Sequence, residues 1–191
     1  MAFPCAGCRT TNYRRDRTPG GTWFFTLSLA DRKARLLVER IAHLRCALRS
    51  VQRQHPFTLD AIVVLPHHLH AIWTLPSGDS DFSLRWRLIK SRFSHSQPCA
   101  EHISLSRLQK RERGIWQRRF WEHAIRGEAD LRAHVDYIHF NPVKHGLVSR
   151  VSDWRWSSFH RYVRAGVLPA DWGGALGHAS DWSGERGAVR E

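Results

Sequence analysis

The chain has 191 residues, enough for one domain with a hydrophobic core and a C-terminal extension. Its 30 Lys and Arg against 17 Asp and Glu give a formal net charge of +13, which favours a polyanionic partner. No apolar run approaches the roughly 18 residues of a membrane span, and the four cysteines are too scattered for a disulfide framework. These features argue against a membrane protein and a disulfide-stapled secreted domain, and we expect a cytoplasmic protein.

The first half of the chain predicts three strands and one helix. Residues 1–20 are polar and basic and end in a Pro-Gly turn, which indicates an N-terminal arm. The β-rich run 23–29 predicts the first strand, and apolar residues at helical spacing between positions 36 and 48 predict one amphipathic helix. Residues 57–65 and 67–75 then predict two strands joined at Pro66.

The second half predicts two more helices, a strand and a tail. A basic helix is expected over about 83–94, and the aromatic and arginine-rich run 116–125 predicts a fourth strand. The last helix is expected over roughly 129–140, with Asn141-Pro142 interrupting it. A tryptophan-rich tail follows Gly146.

This element order favours an α+β fold, a ferredoxin-like sandwich in which an antiparallel sheet carries its helices on one face. The corresponding division is an arm at 1–20, a main domain at 21–150, which would carry any catalytic site, and a Trp-rich C-terminal extension at 151–191, with contact to the polyanionic partner as one role for the extension. Cys5 and Cys8 have zinc-knuckle spacing, but no second Cys-x-x-Cys follows, so we expect no structural zinc there.

Two histidines, His68 and His70, stand two residues apart within an apolar run. Residues at this spacing on a strand face the same side, about 7 Å apart, so both imidazoles can lean toward one ion. Thirteen histidines make roughly one such pair expected by chance, and a strand with two surface histidines is the competing interpretation. A third ligand elsewhere would favour the metal site.

Tyr137 and Asn141 lie four residues apart on the last predicted helix and therefore share a face. The competing interpretation is a half-buried tyrosine and an asparagine that ends the helix. Together with His68 and His70, however, Asn141 would complete a ligand set suited to Mn²⁺ or Mg²⁺. Such an ion would activate a phosphodiester, and Tyr137 would be the nucleophile, helped by the metal or by nearby cations because an ordinary phenol ionises only near pH 10.

The histidine motif Leu-Pro-His-His-Leu-His at 65–70 is followed by Tyr-Ile-His-Phe-Asn-Pro-Val-Lys-His-Gly-Leu-Val at 137–148. With further matching segments at 19–21, 116–123 and 156–162, the chain resembles the REP-associated tyrosine transposases over about residues 12–173. These are relatives of the single-tyrosine HUH transposases of small bacterial insertion sequences. His67 stands where relatives often have Asp or Asn, and its side chain is expected to face away from His68 and His70.

The resemblance implies a ferredoxin-like fold and a divalent cation held by His68 and His70, with Asn141 as the third ligand. It implies that Tyr137 cleaves single-stranded, hairpin-forming DNA of the repetitive extragenic palindrome (REP) type, leaving a 5′-phosphotyrosine and a free 3′-OH, so that strands can be rejoined without a nucleotide cofactor. It further implies a cytoplasmic, nucleoid-associated protein. The chain shows no clear dimer face, and a monomer is favoured over a dimer.

Basic and aromatic side chains are candidates for DNA contact. The basic ones would bind phosphates, which makes binding sensitive to salt, although a solvated surface is the usual role of such runs. The tryptophans of the tail would either stack on bases or dock the tail onto the domain. The candidates are Arg85, Arg87, Lys90, Arg92, Arg118, Arg119, Trp154, Trp156 and Arg161.

Two other functions compete with the nuclease. A non-catalytic protein that binds palindromes, such as a domesticated repressor, would share the charge and the aromatic residues. A zinc-dependent hydrolase would use the histidine pair but leave Tyr137 without a purpose. Convergence of His68, His70, Asn141 and Tyr137 in space would favour catalysis by the tyrosine.

Overall fold

The computed structural model describes residues 18–97, 105–109 and 112–173. Cys5, Cys8, Cys99, most of the predicted arm and the end of the predicted extension lie outside the described residues. The strands are β1 (Thr22–Ser28), β2 (Thr58–Val64), β3 (His68–Thr74) and β4 (Trp121–Ala124). The helices are α1 (Leu36–Glu39), α2 (Ile41–Gln54), α3 (Phe82–His95), α4 (Leu105–Gln109), α5 (Glu128–Lys144) and α6 (Phe159–Arg164), with a 3₁₀ turn at Val151–Asp153.

The four strands form one sheet in the order β2-β3-β1-β4, with every neighbouring pair antiparallel. Strand β1 is central because both of its edges are paired, with β3 on one side and β4 on the other. The predicted ferredoxin-like sandwich is confirmed. None of the helices in the described ranges is long and apolar enough to cross a membrane.

Helices cover both faces of the sheet. In β1, Phe25 points to one face, where α2 and α3 pack, whereas its neighbour Phe24 points to the other, where it packs with Val135 and Ile138 of α5. The expectation of helices on one face is therefore wrong for α5. The physical reason is that the interior of β1 is buried on both sides, so each face needs a cover.

Three predicted boundaries also differ from the structure. The single helix expected over 36–48 is split at Arg40, so that the short α1 precedes α2. Strand β4 begins only at Trp121. Helix α5 continues past Asn141 to Lys144 with Pro142 inside it, which is tolerable because a proline in the last turn removes a single helical hydrogen bond.

The outer edge of β2 is covered by residues 154–158. The backbone N–H of Val64 donates to the carbonyl of Trp156 at 2.9 Å, and that of Ser158 donates to the carbonyl of Ile62 at 2.8 Å. An open sheet edge exposes unpaired backbone groups that attract other chains, and this segment pairs with them. The division of the chain at residue 150 stays a prediction.

Candidate active site

His68 and His70 lie on β3 and face α5. Both are buried, with exposed fractions of 7% and 0%, and their ring centroids are 5.0 Å apart. The spacing predicted this shared face, because alternate residues of a strand point to the same side. The competing interpretation of two surface histidines is wrong.

His70 is held in one orientation by its neighbour on β1. Its Nδ1 lies 2.8 Å from the hydroxyl oxygen of Thr26, the residue opposite it in the ladder. Burial, followed by the nearby His145 and Lys144, lowers the pKa of His70 to about 3, so the ring is neutral at neutral pH. A neutral imidazole with Nδ1 engaged presents Nε2 as its metal-binding atom.

Helix α5 brings Tyr137 and Asn141 to the histidines. The Tyr137 ring lies 5.2 Å from that of His70, and two turns later the His145 ring lies 5.0 Å from that of His68. Asn141 sits midway between these contacts on the same helical face, since positions 137, 141 and 145 are each about one turn apart. The four predicted residues therefore border one region between β3 and α5.

Asn141 is fully buried, and neither polar atom of its side chain has a hydrogen-bond partner among the described residues. An unpaired buried amide costs about 1–3 kcal/mol, so a functional partner is the natural explanation. Two imidazoles and an amide oxygen fit a borderline or hard divalent cation. The residues present therefore suit the predicted metal.

A cation stands beside the candidate nucleophile. The ammonium nitrogen of Lys144 lies 4.8 Å from the centre of the Tyr137 ring. A cation over the face of an aromatic ring is attracted by the π-electrons of that ring. Lys144 was not among the predicted site residues, although its spacing of seven residues from Tyr137 places it on the same face of α5.

His67 does not face away from the pair as expected. Its ring centroid is 4.5 Å from that of His68, and both rings line one pocket. The alternation of side chains applies only within a strand, and β3 begins at His68. His67 therefore belongs to the surroundings of the site.

A second cluster, to which the sequence analysis gave no role, joins β4 to the start of α5. The Asp130 carboxylate lies 3.0 Å from Nε2 of His123 and 2.9 Å from Nδ1 of His134. Ligand atoms of the three residues lie within 4.8 Å of one another, so the group could hold a metal ion. His134 Nδ1 also lies 2.8 Å from the Asp130 carbonyl, a contact within α5, whereas the contact between His123 and Asp130 joins β4 to the helix that carries Tyr137.

The basic residues chosen for DNA contact differ in how available they are. Arg85 is 2% exposed and donates to the carbonyls of His55, Pro56 and Asp81 while pairing with Asp79 at 2.6 Å. The prediction that Arg85 contacts phosphate is therefore wrong. Arg85 lies on the inner side of α3, where its N–H groups are used in hydrogen bonds within the protein.

The other basic candidates on α3 and before β4 are either exposed or hydrogen-bonded within the protein. Arg87 and Arg119 are exposed, and Arg118 is exposed but pairs with Glu112 at 2.9 Å. Lys90 and Arg92 are half-buried: the Lys90 ammonium donates to the Gln117 carbonyl, and the Arg92 guanidinium donates to the Ser50 hydroxyl. Phosphate contact by these five residues stays a prediction.

The aromatic segment that contains Trp154 and Trp156 docks onto the domain, which is one of the two alternatives considered for it. The indole N–H of Trp154 donates to the Val64 carbonyl at 3.0 Å, and Trp156 packs partly buried against the core. The exposed Arg161 donates to the carbonyls of Leu59 and Asp60. Whether these residues also touch DNA stays a prediction.

The chain is similar to known proteins over nearly its whole length. It is 51% identical over 177 residues to the REP-associated tyrosine transposase of Escherichia coli K12, which covers 92% of this chain and 98% of that protein. A Haemophilus influenzae protein, provisionally named as a member of the same family, is 46% identical over 166 residues, covering 86% of this chain and 94% of its own.

A solved structure agrees with this result. A REP-associated tyrosine transposase bound to a REP hairpin matches with a TM-score of 0.79 and 49% identity, covering 91% of this chain and 96% of that one. A scan against protein-family models finds no match.

Proposed function

Since the chain belongs to the REP-associated tyrosine transposase family, we propose that it is a metal-dependent, single-tyrosine endonuclease and strand transferase. Its substrate would be single-stranded, hairpin-forming DNA of the REP-palindrome type, and its intermediate a 5′-phosphotyrosine. The observation that carries this proposal is the contact between the Tyr137 ring and His70, beside a buried Asn141 whose amide has no partner among the described residues.

Each side chain of the site would have a separate task. His68, His70 and Asn141 would hold a divalent ion, which when bound supplies positive charge for the non-bridging oxygens of the scissile phosphate. Thr26 orients His70 through its Nδ1. Tyr137 would attack phosphorus, and Lys144 would stabilise the charge of its phenolate.

The charge of the chain supports a nucleic-acid substrate. A net charge of +13 gives a long-range attraction for phosphates that does not depend on base sequence. The solved relative with 49% identity is bound to a REP hairpin, which supports a hairpin as the form of DNA recognised.

We further propose that the protein acts as a monomer in the cytoplasm, at the nucleoid. The support for a monomer is that β3 and α5 of one chain bring His70 and Tyr137 into contact. No second chain is needed to bring the nucleophile to the histidines.

The test is formation of a covalent protein–DNA adduct. The protein is incubated with end-labelled REP-type hairpin DNA and Mn²⁺, denatured, and analysed for label that migrates with the protein. Tyr137→Phe should keep DNA binding and lose the adduct, because the ring packing remains but the attacking oxygen is gone. Tyr162→Phe is the matched control, because this phenol donates to the Asp60 carbonyl and lies at the C-terminal segment.

The main alternative is a protein that binds palindromes without cutting them. Such a protein would bind the hairpin with or without Mn²⁺ and would give no adduct from the wild-type chain. An adduct that persists in Tyr137→Phe would instead contradict the assignment of the nucleophile.

A further inference from the structure

A cavity of about 240 Å³ adjoins the histidine pair beside His68. Its lining includes Lys33 and Arg35, from the segment between β1 and α1, and His145 at the end of α5. His67 and His68 also line it.

The wall of this cavity is apolar and its rim is cationic. Leu65, Pro66 and Leu147 contribute apolar surface, whereas Lys33 and Arg35 are exposed on the rim. An apolar surface beside two cations suits one nucleotide, whose sugar and base are largely apolar on their faces and whose phosphate is anionic.

The backbone around the cavity is fixed. The N–H of Leu37 donates to the Pro66 carbonyl at 3.1 Å, which ties α1 to the turn before β3. The N–H of Leu29 donates to the His67 carbonyl at 2.8 Å, which ties the end of β1 to the same turn. Binding a nucleotide here would therefore not have to order the loop first.

The cavity adjoins the site on the side of His68, and neither Tyr137 nor His70 lines it. Tyr137 contacts the ring of His70, the ring of His70 is 5.0 Å from that of His68, and only His68 of the pair lines the cavity. In a displacement at phosphorus the attacking and leaving oxygens are roughly in line on opposite sides. A phosphate at the histidines attacked by Tyr137 would therefore send its leaving group toward the cavity.

We propose that this cavity holds the nucleotide at the end of the cleaved strand, the one that leaves with the free 3′-OH. The inference rests on the proposed function. In the step itself the bond from the Tyr137 oxygen to phosphorus forms, the bond from phosphorus to the 3′-oxygen breaks, and the proton lost by the phenol is balanced by one gained by the 3′-oxygen. The leaving strand has no covalent link to the protein after this step.

Retention of that strand is what makes the reaction reversible. A 3′-OH kept in the cavity stays at high effective concentration beside the phosphotyrosine, whereas a released one must return from solution. Lys33 and Arg35 would thus act on strand joining through the lifetime of the cleaved complex.

The test is a double variant, Lys33→Ala/Arg35→Ala, with Arg49→Ala/Arg53→Ala as the matched control. Both remove two cations from exposed positions, and Arg49 and Arg53 lie on α2 away from the cavity. The hairpin carries a fluorophore on the segment that ends in the new 3′-OH, and release of this segment from the purified adduct is timed. Loss of charge-assisted phosphate contacts should speed release by roughly tenfold or more in the double variant and leave the control at the wild-type rate.

A second substrate gives the comparison an internal check. In a hairpin whose leaving segment is replaced by a p-nitrophenyl ester of the scissile phosphate, p-nitrophenolate leaves when the Tyr137 oxygen bonds to phosphorus. No nucleotide then fills the cavity, and the two double variants should form adduct equally well. Release at equal rates from all three proteins on the full substrate would overturn the inference while the adduct itself upheld the proposed function. Absence of adduct from the wild-type protein would instead overturn both.

Discussion

At the scale of single residues, Asn141 distinguishes a metal site from ordinary packing. A buried amide whose polar atoms have no partner among the described residues lowers stability, and proteins keep such groups where function requires them. Of the neighbouring histidines, His70 has its pKa lowered to about 3 by burial and is held by its hydrogen bond to Thr26, and His68 is buried beside it, as expected of a site that can accept a cation.

The substitution Asn141→Leu separates the two roles, because leucine has the same branched shape with the same number of heavy atoms and no polar atoms. Removing an unpaired buried amide should stabilise the metal-free protein by about 1–2 kcal/mol, measured by urea unfolding in EDTA. The Mn²⁺ concentration required for half-maximal adduct formation should rise by roughly tenfold or more, because one ligand is lost.

The control is Asn141→Asp, which keeps an oxygen ligand and should stay nearer to the wild-type metal requirement. An unchanged Mn²⁺ requirement in Asn141→Leu would remove Asn141 from the ligand set.

Residue spacing predicted part of this site and missed the rest for identifiable reasons. His68 and His70 share a face because alternate residues of a strand point to the same side. Tyr137 and Asn141 share a face because residues four apart on a helix do so. His67 was misplaced because it precedes the strand, and Arg85 because the sequence does not tell which side of a basic helix faces the core. The link from His123 to Asp130 depends on how β4 meets α5, which spacing alone does not give.

At the scale of elements, α5 connects the site to the C-terminal segment. Two residues beyond Tyr137, the fully buried His139 bonds through Nε2 to the Ser158 hydroxyl at 3.0 Å. Its ring lies 4.8 Å from that of Tyr162, on α6. The helix that carries Tyr137 is therefore also the element on which the C-terminal segment docks.

This docking should make stability depend on pH. Burial, followed by Arg161 and His160, lowers the pKa of His139 to about 4, below the ordinary value near 6.5. The unfolded chain therefore binds a proton more readily, and the contribution of His139 is present above pH 6.5 and lost as the pH falls toward 4.

His139→Gln removes this titration and keeps a side chain able to bond to Ser158. The loss of unfolding free energy between pH 7 and pH 4.5 should shrink by on the order of 2 kcal/mol in this variant, measured by urea unfolding. His43→Gln, at an exposed position on α2, is the control and should follow the wild-type profile. Parallel profiles for His139→Gln and the wild type would contradict the burial argument.

Element order was enough to predict the sheet, but not which faces its helices cover. The strand and helix periods predicted β2, β3 and α3 within one or two residues. Pro142 was expected to end α5, but the helix continues to Lys144. Near the end of a helix the loss of one hydrogen bond costs little, and Lys144 and His145 make contacts with Tyr137 and His68 beyond the proline.

At the scale of the whole molecule, the sheet separates the larger apolar core on one face from the candidate site on the other. Helices α2 and α3 bury the larger apolar core on one face, while α5 covers the other face and builds the site with β3. Net charge is a property of the whole surface, so composition predicted a polyanionic partner without showing which cations meet it. The chain therefore combines a general attraction for DNA with a single place where a phenol meets a histidine pair.

The most direct measurement of the central claim is mass-spectrometric mapping of the adduct formed with REP-type hairpin DNA and Mn²⁺. After digestion by nuclease and protease, the account predicts one modified peptide, with a nucleotide joined through its 5′-phosphate to Tyr137. Attachment to Tyr162 or another residue, linkage through a 3′-phosphate, or cleaved DNA with no modified peptide would contradict it.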